Sequence, residues 1–317
     1  MKQFNTHLFL TMLLSISAGL HADIVVPTEQ ALELAQTEAE LNKPNLPRGF
    51  GVKFSRGMRA NTTYSREFLK KHADWNVIKF LYDHYLTSFT QSESYRIPTI
   101  IHQLFLEEPT EKQKQLQETW QKLHPHWHYK AWTTKDIEEL CLENKATYAT
   151  AQTLEQKRSI ARAEILYRFG GVCIDADVEC VKAFDIFHQT CDFYAGLSFD
   201  HHAMLNDAVV GATPRHPILR AYMIAIRVSK DDPSFTDTKT GNATLTHAFK
   251  SEALVAAGHN IVFPLSYFCP RTHDADVNKK TYKLSSFAVK HWESSTKDTA
   301  AADTTTKQIR TKKLYTK

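Results

Sequence analysis

RSIARAEILYRFGGVCIDADVEC, residues 158–180, is the stretch from which the fold can be read. Its first half has helical spacing, with an apolar stripe of Ile165, Leu166 and Phe169. Arg162 lies three, four and seven residues before these, so it falls in the middle of the apolar face. A guanidinium buried there needs an anionic partner. Two readings satisfy it: a structural salt bridge, or an arginine turned toward a bound ligand. Gly170-Gly171 ends the helix, because glycine takes the left-handed backbone that closes a helix C-terminus. From Val172 the pattern alternates. Cys173, Asp175, Asp177 and Glu179 share one face of the expected strand, with neighbouring side chains on that face roughly 7 Å apart. Two carboxylates so placed repel unless protonated or bridged by a cation, and oxygen ligands suit a hard ion such as Mn²⁺ or Mg²⁺. Glu179 is either a further ligand or a solvated or structural side chain.

The tetrapeptide alone carries little, because Asp274-Ala275-Asp276-Val277 repeats it. That copy follows Arg271, Thr272 and His273, with no apolar strand and no Gly-Gly before it, and reads as a solvated loop. Outward from 158–180, strands and helices alternate. Strands are expected at 100–104, 127–132, 172–178 and 260–264, with an apolar stretch at 207–212. Helices are expected at 66–88, 111–123, 135–143, 154–169, 217–228 and 243–256. Such alternation argues for an α/β domain with a mostly parallel central sheet flanked by helices. Carboxyl ends of strands are where open α/β sheets bind ligands, which directs attention to Asp175 and Asp177.

Charge excludes one class of partner. Residues 297–317 hold six Lys/Arg against two Asp, which is the whole of the net +4, so the remaining chain is neutral and a nucleic-acid-binding surface is not expected. This tail, rich in Thr, Lys and Ala, has no apolar period and is expected to be disordered. Residues 1–22 read as an export signal: Lys2, an apolar run from Leu8 to Leu20, and a small residue at Ala22. A span needs roughly 20 apolar residues, so the run is short for one. A membrane association arises only if this segment is an uncleaved anchor. Residues 23–95 read as a stem and N-terminal helical arm, loosely packed over 23–65. Five Cys without a CxxC argue against a cysteine zinc site and leave room for one disulfide after export. His124, His126 and His128 alternate as a metal face would, although Pro125 favours packing or surface roles.

With these residues in view, the chain resembles the DXD sugar-transferases, glycosyltransferase family 32. This family includes fungal initiating mannosyltransferases, sphingolipid mannosyltransferases and bacterial capsule enzymes. Besides the helix, Gly-Gly, strand and D-x-D, further segments match in order: IPTIIHQLF (97–105), HPHWHYKAW (124–132), LNDAVVGATPRHP (205–217), TGNATLTHAF (240–249) and FAVKHWESS (287–295). The resemblance spans roughly residues 97–296. It implies a GT-A fold over 96–296 and metal-dependent transfer of a sugar from a nucleotide-sugar, UDP- or GDP-hexose, with retention of configuration. The acceptor is a glycan, lipid or protein. It further implies that Asp177 contacts the metal and that Asp175 reaches the ribose, and through water the metal. Arg162 and Asn206 hold the donor sugar, His291 is a late metal ligand, and Phe105 stands where the family stacks a Trp on the nucleobase.

The sequence departs from the family pattern at four places. Ser159 replaces an Asp that binds sugar hydroxyls, Phe105 replaces Trp, Asn242 replaces the Pro of a TGP element, and Thr296 stands where the closing pattern has Trp. Two other functions fit the residues: a non-catalytic sugar- or nucleotide-binding protein on the same scaffold, and a DxD phosphohydrolase, in which Glu179 replaces the usual Thr. Export adds a constraint, since nucleotide-sugars are made in the cytosol. The expected settings are a donor-supplied lumen, with or without a membrane anchor, or secretion into a host cell. Asn61-Thr62-Thr63 and Asn242-Ala243-Thr244 are glycosylation sequons, and the second lies too near the expected site to carry a glycan.

Overall fold

The computed structural model describes residues 46–58, 73–89, 94–198, 204–229, 240–270 and 284–291. The chain divides into units Met1–Pro44 and Asn45–Lys317, and every described residue belongs to the second. The expected signal, the basic tail and the second Asp-Ala-Asp lie outside the described residues.

The helices are α1 (Phe54–Gly57), α2 (Ala73–Ser88), α3 (Glu111–Leu123), α4 (Thr134–Glu139), α5 (Lys145–Thr150), α6 (Leu154–Phe169), α7 (Asp185–Thr190), α8 (Pro217–Ser229) and α9 (Asn242–Glu252). The strands are β1 (Ile100–Phe105), β2 (His128–Thr133), β3 (Gly171–Ile174), β4 (Val178–Cys180), β5 (Phe193–Leu197), β6 (Leu205–Ala212), β7 (Asn260–Phe263) and β8 (Ala288–Lys290). Six strands form one sheet in the order β2-β1-β3-β6-β5-β7, and β4 pairs with β8 in a second. In the large sheet only β6 runs against the others. The expected α/β architecture is therefore present, with its mostly parallel sheet flanked by helices.

Local chemistry explains the junctions. Helix α3 starts with a capping box between Thr110 and Gln113, and it turns Leu116 and Trp120 inward. Helix α6 is capped by the Thr153 side chain, which accepts from the Gln156 N–H. At its other end Gly170 and Gly171 both have positive φ (62° and 91°). A Cβ on Gly171 would meet the Ile100 carbonyl oxygen at 2.5 Å, so only glycine lets the chain pass from α6 into β3 alongside β1. Helix α4 is shorter than the expected 135–143; beyond Leu140 the backbone turns left-handed at Cys141 (φ 52°).

Two expectations need correction. The described part of the segment read as loosely packed, 46–58, is built into the core: Phe54 and Met58 are buried, and Phe50 packs edge-on against Tyr85, Tyr267 and Phe287. Helix α2 joins the same aromatic cluster through Trp75, Tyr82 and Tyr85. Aromatic rings scattered along a polar segment carry no period, which is why the sequence pattern missed their burial. Phe169, assigned to the apolar stripe of α6, is 39% exposed. The helix is instead buried over most of its circumference, from Gln156 to Leu166.

The histidines serve packing. His124 accepts the Phe184 N–H at Nε2 (2.9 Å), so Nδ1 carries the proton and donates to the Trp120 carbonyl (3.0 Å). His126 and His128 are exposed, so the three form no metal face. His102 accepts from Trp132 Nε1 and donates from Nε2 to the Gly170 carbonyl (2.9 Å), tying β1 and β2 to the end of α6. All five cysteines are free thiols, and only Cys141 is exposed. No helix among the described residues is long and apolar enough to cross a membrane.

Buried neutral histidines make stability fall in mild acid. Burial lowers the pKa of His102 to about 4 and that of His188 to about 3, from an ordinary value near 6.5. Below about pH 6.5 the unfolded chain binds protons that the folded chain refuses, so stability declines as pH falls toward these folded values. From pH 7.5 to pH 5 the two are expected to remove about 4 kcal/mol together, at about 1.4 kcal/mol per pH unit below 6.5 for each. Urea unfolding at the two pH values measures this, and a His188→Gln chain should lose its share of the slope. A flat profile would refute it.

Candidate active site

The site forms at the carboxyl edge of the parallel strands, where α6, the β3–β4 connection, the start of β6 and the end of β8 converge. Strand β3 ends at Ile174, and Asp175 to Asp177 make a turn closed by Val178 N–H to the Asp175 carbonyl (3.2 Å). The two aspartates are therefore not alternate residues of one strand, as the sequence pattern suggested. After the turn the chain leaves the large sheet, because β4 pairs with β8 and is held against α3 by Trp120 Nε1 donating to the Val178 carbonyl (2.8 Å). The turn is fixed from the sheet side as well. Asp175 N–H donates to the Ala208 carbonyl (2.9 Å), and Gln103 Nε2 donates to the Asp175 carbonyl (3.2 Å).

Arg162 is 2% exposed and forks between two carboxylates, donating through Nη2 to Asp175 Oδ1 and through Nη1 to Asp207 Oδ2. Ser159 also donates to Asp207 Oδ2 (3.2 Å). Lys290 bridges the motif pair, donating to Asp175 Oδ2 (2.7 Å) and Asp177 Oδ1 (3.2 Å). Two cations thus sit among three carboxylates. Burial by itself would raise the pKa of Asp175, but Lys290 and Arg162 hold its carboxyl well below the usual carboxylate range. Burial would lower Lys290, and Asp175 and Asp177 more than offset it, so the ammonium stays charged. Glu155 is shifted the other way: burial and the charges of Asp175 and Asp207 raise its pKa.

Arg162, Asp175 and Asp177 are brought together as expected. His291 is adjacent through its backbone, since its N–H donates to the Asp177 carbonyl (2.9 Å), but its Nε2 pairs with Glu179 Oε2 (2.8 Å). Asn206 donates to Cys269 Sγ (3.1 Å) and accepts the Ala208 N–H (2.8 Å), so its amide is engaged within the protein. Phe105 ends β1 at the same edge of the sheet, opposite Thr133 and partly exposed.

The sequence reading passed over Asp207 and Lys290. Asp207 is an acid beside the apolar run AVVGA of β6, a signal of a buried partner. It places a carboxylate against Ser159, where the family has Asp. Asn242, the departure in the TGP element, accepts the Asp207 N–H at Oδ1 (2.9 Å), so the second sequon is part of the wall behind the site. Lys290 precedes His291 in FAVKHW, with no acid beside it in the sequence to mark its role.

A divalent ion between Asp175 and Asp177 does not fit this arrangement. Both Asp175 oxygens and Asp177 Oδ1 are committed to Arg162 and Lys290, and His291 Nε2 to Glu179. Among the described residues no three His, Cys, Asp or Glu side chains are grouped to hold a metal. An ion seated there would also face the ammonium.

Residues 110–193, from the start of α3 into β5, match a family described as the glycosyltransferase sugar-binding region containing the DXD motif. The match contains Arg162, Asp175 and Asp177. This stretch is similar to the DXD-containing sugar-binding region of glycosyltransferases. Two relatives from Schizosaccharomyces pombe are similar to it. Inositol phosphoceramide mannosyltransferase 3 is 27% identical over 158 residues, covering 48% of this chain and 42% of that protein. Inositol phosphoceramide mannosyltransferase 1 is 31% identical over 135 residues, covering 40% and 42%. The matches thus span about two-fifths of these relatives. Among solved structures, PaToxG glycosyltransferase aligns with a TM-score of 0.44 and 15% identity over 57% of this chain and 78% of its own. A glycosyltransferase involved in glycosylation of the major capsid of PBCV-1 aligns with a TM-score of 0.36 and 16% identity, covering 62% and 94%.

Proposed function

We propose that this chain moves a hexose from a UDP- or GDP-sugar to a glycan, lipid or protein acceptor, with retention of configuration, using a GT-A fold. The observation that carries the reading is the Arg162–Asp175–Lys290–Asp177 cluster, which lies at the carboxyl edge of a mostly parallel sheet and draws all but Lys290 from the matched DXD region. Breaking a sugar–phosphate bond leaves negative charge on a diphosphate, and a transferase must place positive charge against it. The site holds two cations in fixed positions, so little reorganisation is needed when that charge develops. Asp207, held by Arg162, Ser159 and the Asn242 amide, supplies a carboxylate for donor-sugar hydroxyls in place of the Asp that the family carries at position 159. Phe105, at the edge of the sheet, is the side chain for the nucleobase.

The phosphohydrolase alternative requires Asp175 to attack phosphorus, and both of its oxygens are engaged by cations. Export to a donor-supplied lumen or into a host cell remains part of the proposal. It rests on residues 1–22, and residence in a compartment without nucleotide-sugars would overturn it.

Nucleotide release from a panel of UDP- and GDP-sugars, followed with and without Mn²⁺, tests the reading. One donor is expected to be turned over, and the choice of hexose follows from which. Absence of both turnover and donor binding across the panel would favour a non-catalytic protein.

A further inference from the structure

We propose that Lys290 supplies from the chain itself the positive charge that a bound divalent ion was expected to provide, so that nucleoside diphosphates bind here without a metal. This rests on the transferase reading and names how that site meets the diphosphate. The argument begins with the backbone. Strand β8 pairs antiparallel with β4, with Lys290 opposite Val178, and the ladder continues with His291 N–H donating to the Asp177 carbonyl (2.9 Å). Lys290 is thus held between two registered pairs, directly beside the aspartate turn.

Its ammonium then takes a place that only a cation can fill. It spans Asp175 Oδ2 and Asp177 Oδ1 at 2.7 and 3.2 Å, and removing it would leave two neighbouring carboxylates with no shared counter-charge. Its side chain keeps 14% exposure, against 3% for Arg162, so of the two cations Lys290 is the more accessible. Both cations pair with two carboxylates, and of the two an ammonium is the compact charge, with rotatable N–H donors, that suits phosphate oxygens.

The test is calorimetric titration of UDP and GDP into the purified chain, once with EDTA and once with Mn²⁺. The expected result is that EDTA leaves the affinity of the bound diphosphate nearly unchanged. Lys290→Met should weaken binding by about 10- to 100-fold in either buffer, the loss of one hydrogen bond between charged groups, and Lys290→Arg should restore most of it. The wild-type comparison stands even if Lys290→Met folds poorly. Binding that requires Mn²⁺ and survives Lys290→Met overturns the role of Lys290 and leaves the transferase reading intact. Failure of both nucleotides to bind under either condition overturns both.

Discussion

Arg162→Ala is expected to lower the unfolding free energy by about 3–5 kcal/mol, the cost of leaving buried charges without their partner. The guanidinium is the shared counter-charge of Asp175 and Asp207, which approach it from the turn after β3 and from β6. Without it, Asp207 keeps the Ser159 hydroxyl and the Asn242 side chain near it but loses its one ion-pair partner among the described residues. Arg162→Lys should recover part of the loss, since it keeps the charge but lacks the planar fork that meets Asp175 and Asp207 through separate nitrogens. Adding Asp207→Asn to Arg162→Ala should also recover part, because it removes one of the stranded charges. Urea denaturation of the three variants measures these effects, and a loss under about 1 kcal/mol for Arg162→Ala would show that water reaches the pair and that the network is worth no more than a surface bridge.

Asp175→Asn is expected to reduce kcat/KM for the donor by about a hundredfold or more, the scale of a small misplacement of reacting groups. Asp175 anchors both cations, Arg162 through one oxygen and Lys290 through the other. Asparagine keeps the shape but offers one acceptor where two are used, so at least one cation shifts. Asp177→Asn should cost less, because Asp177 holds Lys290 alone and at the longer distance of 3.2 Å. A merely structural role would lower the yield of folded enzyme and leave kcat of the folded fraction intact. Steady-state kinetics on the folded fraction therefore decides, and an unchanged kcat/KM for Asp175→Asn would remove the cluster from the reaction.

The α/β alternation, the helix stop at Gly170-Gly171 and the need of Arg162 for an anionic partner are legible in the sequence alone. These follow from local rules: the period of apolar residues, the backbone freedom of glycine, and the need of a buried guanidinium for an acid. The sequence also set the DXD region apart from its duplicate at 274–277 through the strand and helix before it. That the D-x-D is a turn follows from long-range pairing alone, because its strand stops where β4 departs to pair with β8, a partner more than a hundred residues away. The same pairing delivers Lys290 to the aspartates, and the antiparallel run of β6 delivers Asp207 to Arg162. Lys290 has no sequence neighbour that betrays its role, and Asp207 has only the apolar run that follows it. Charge pairing at a site depends on distance in space, and for these residues the sheet register sets that distance.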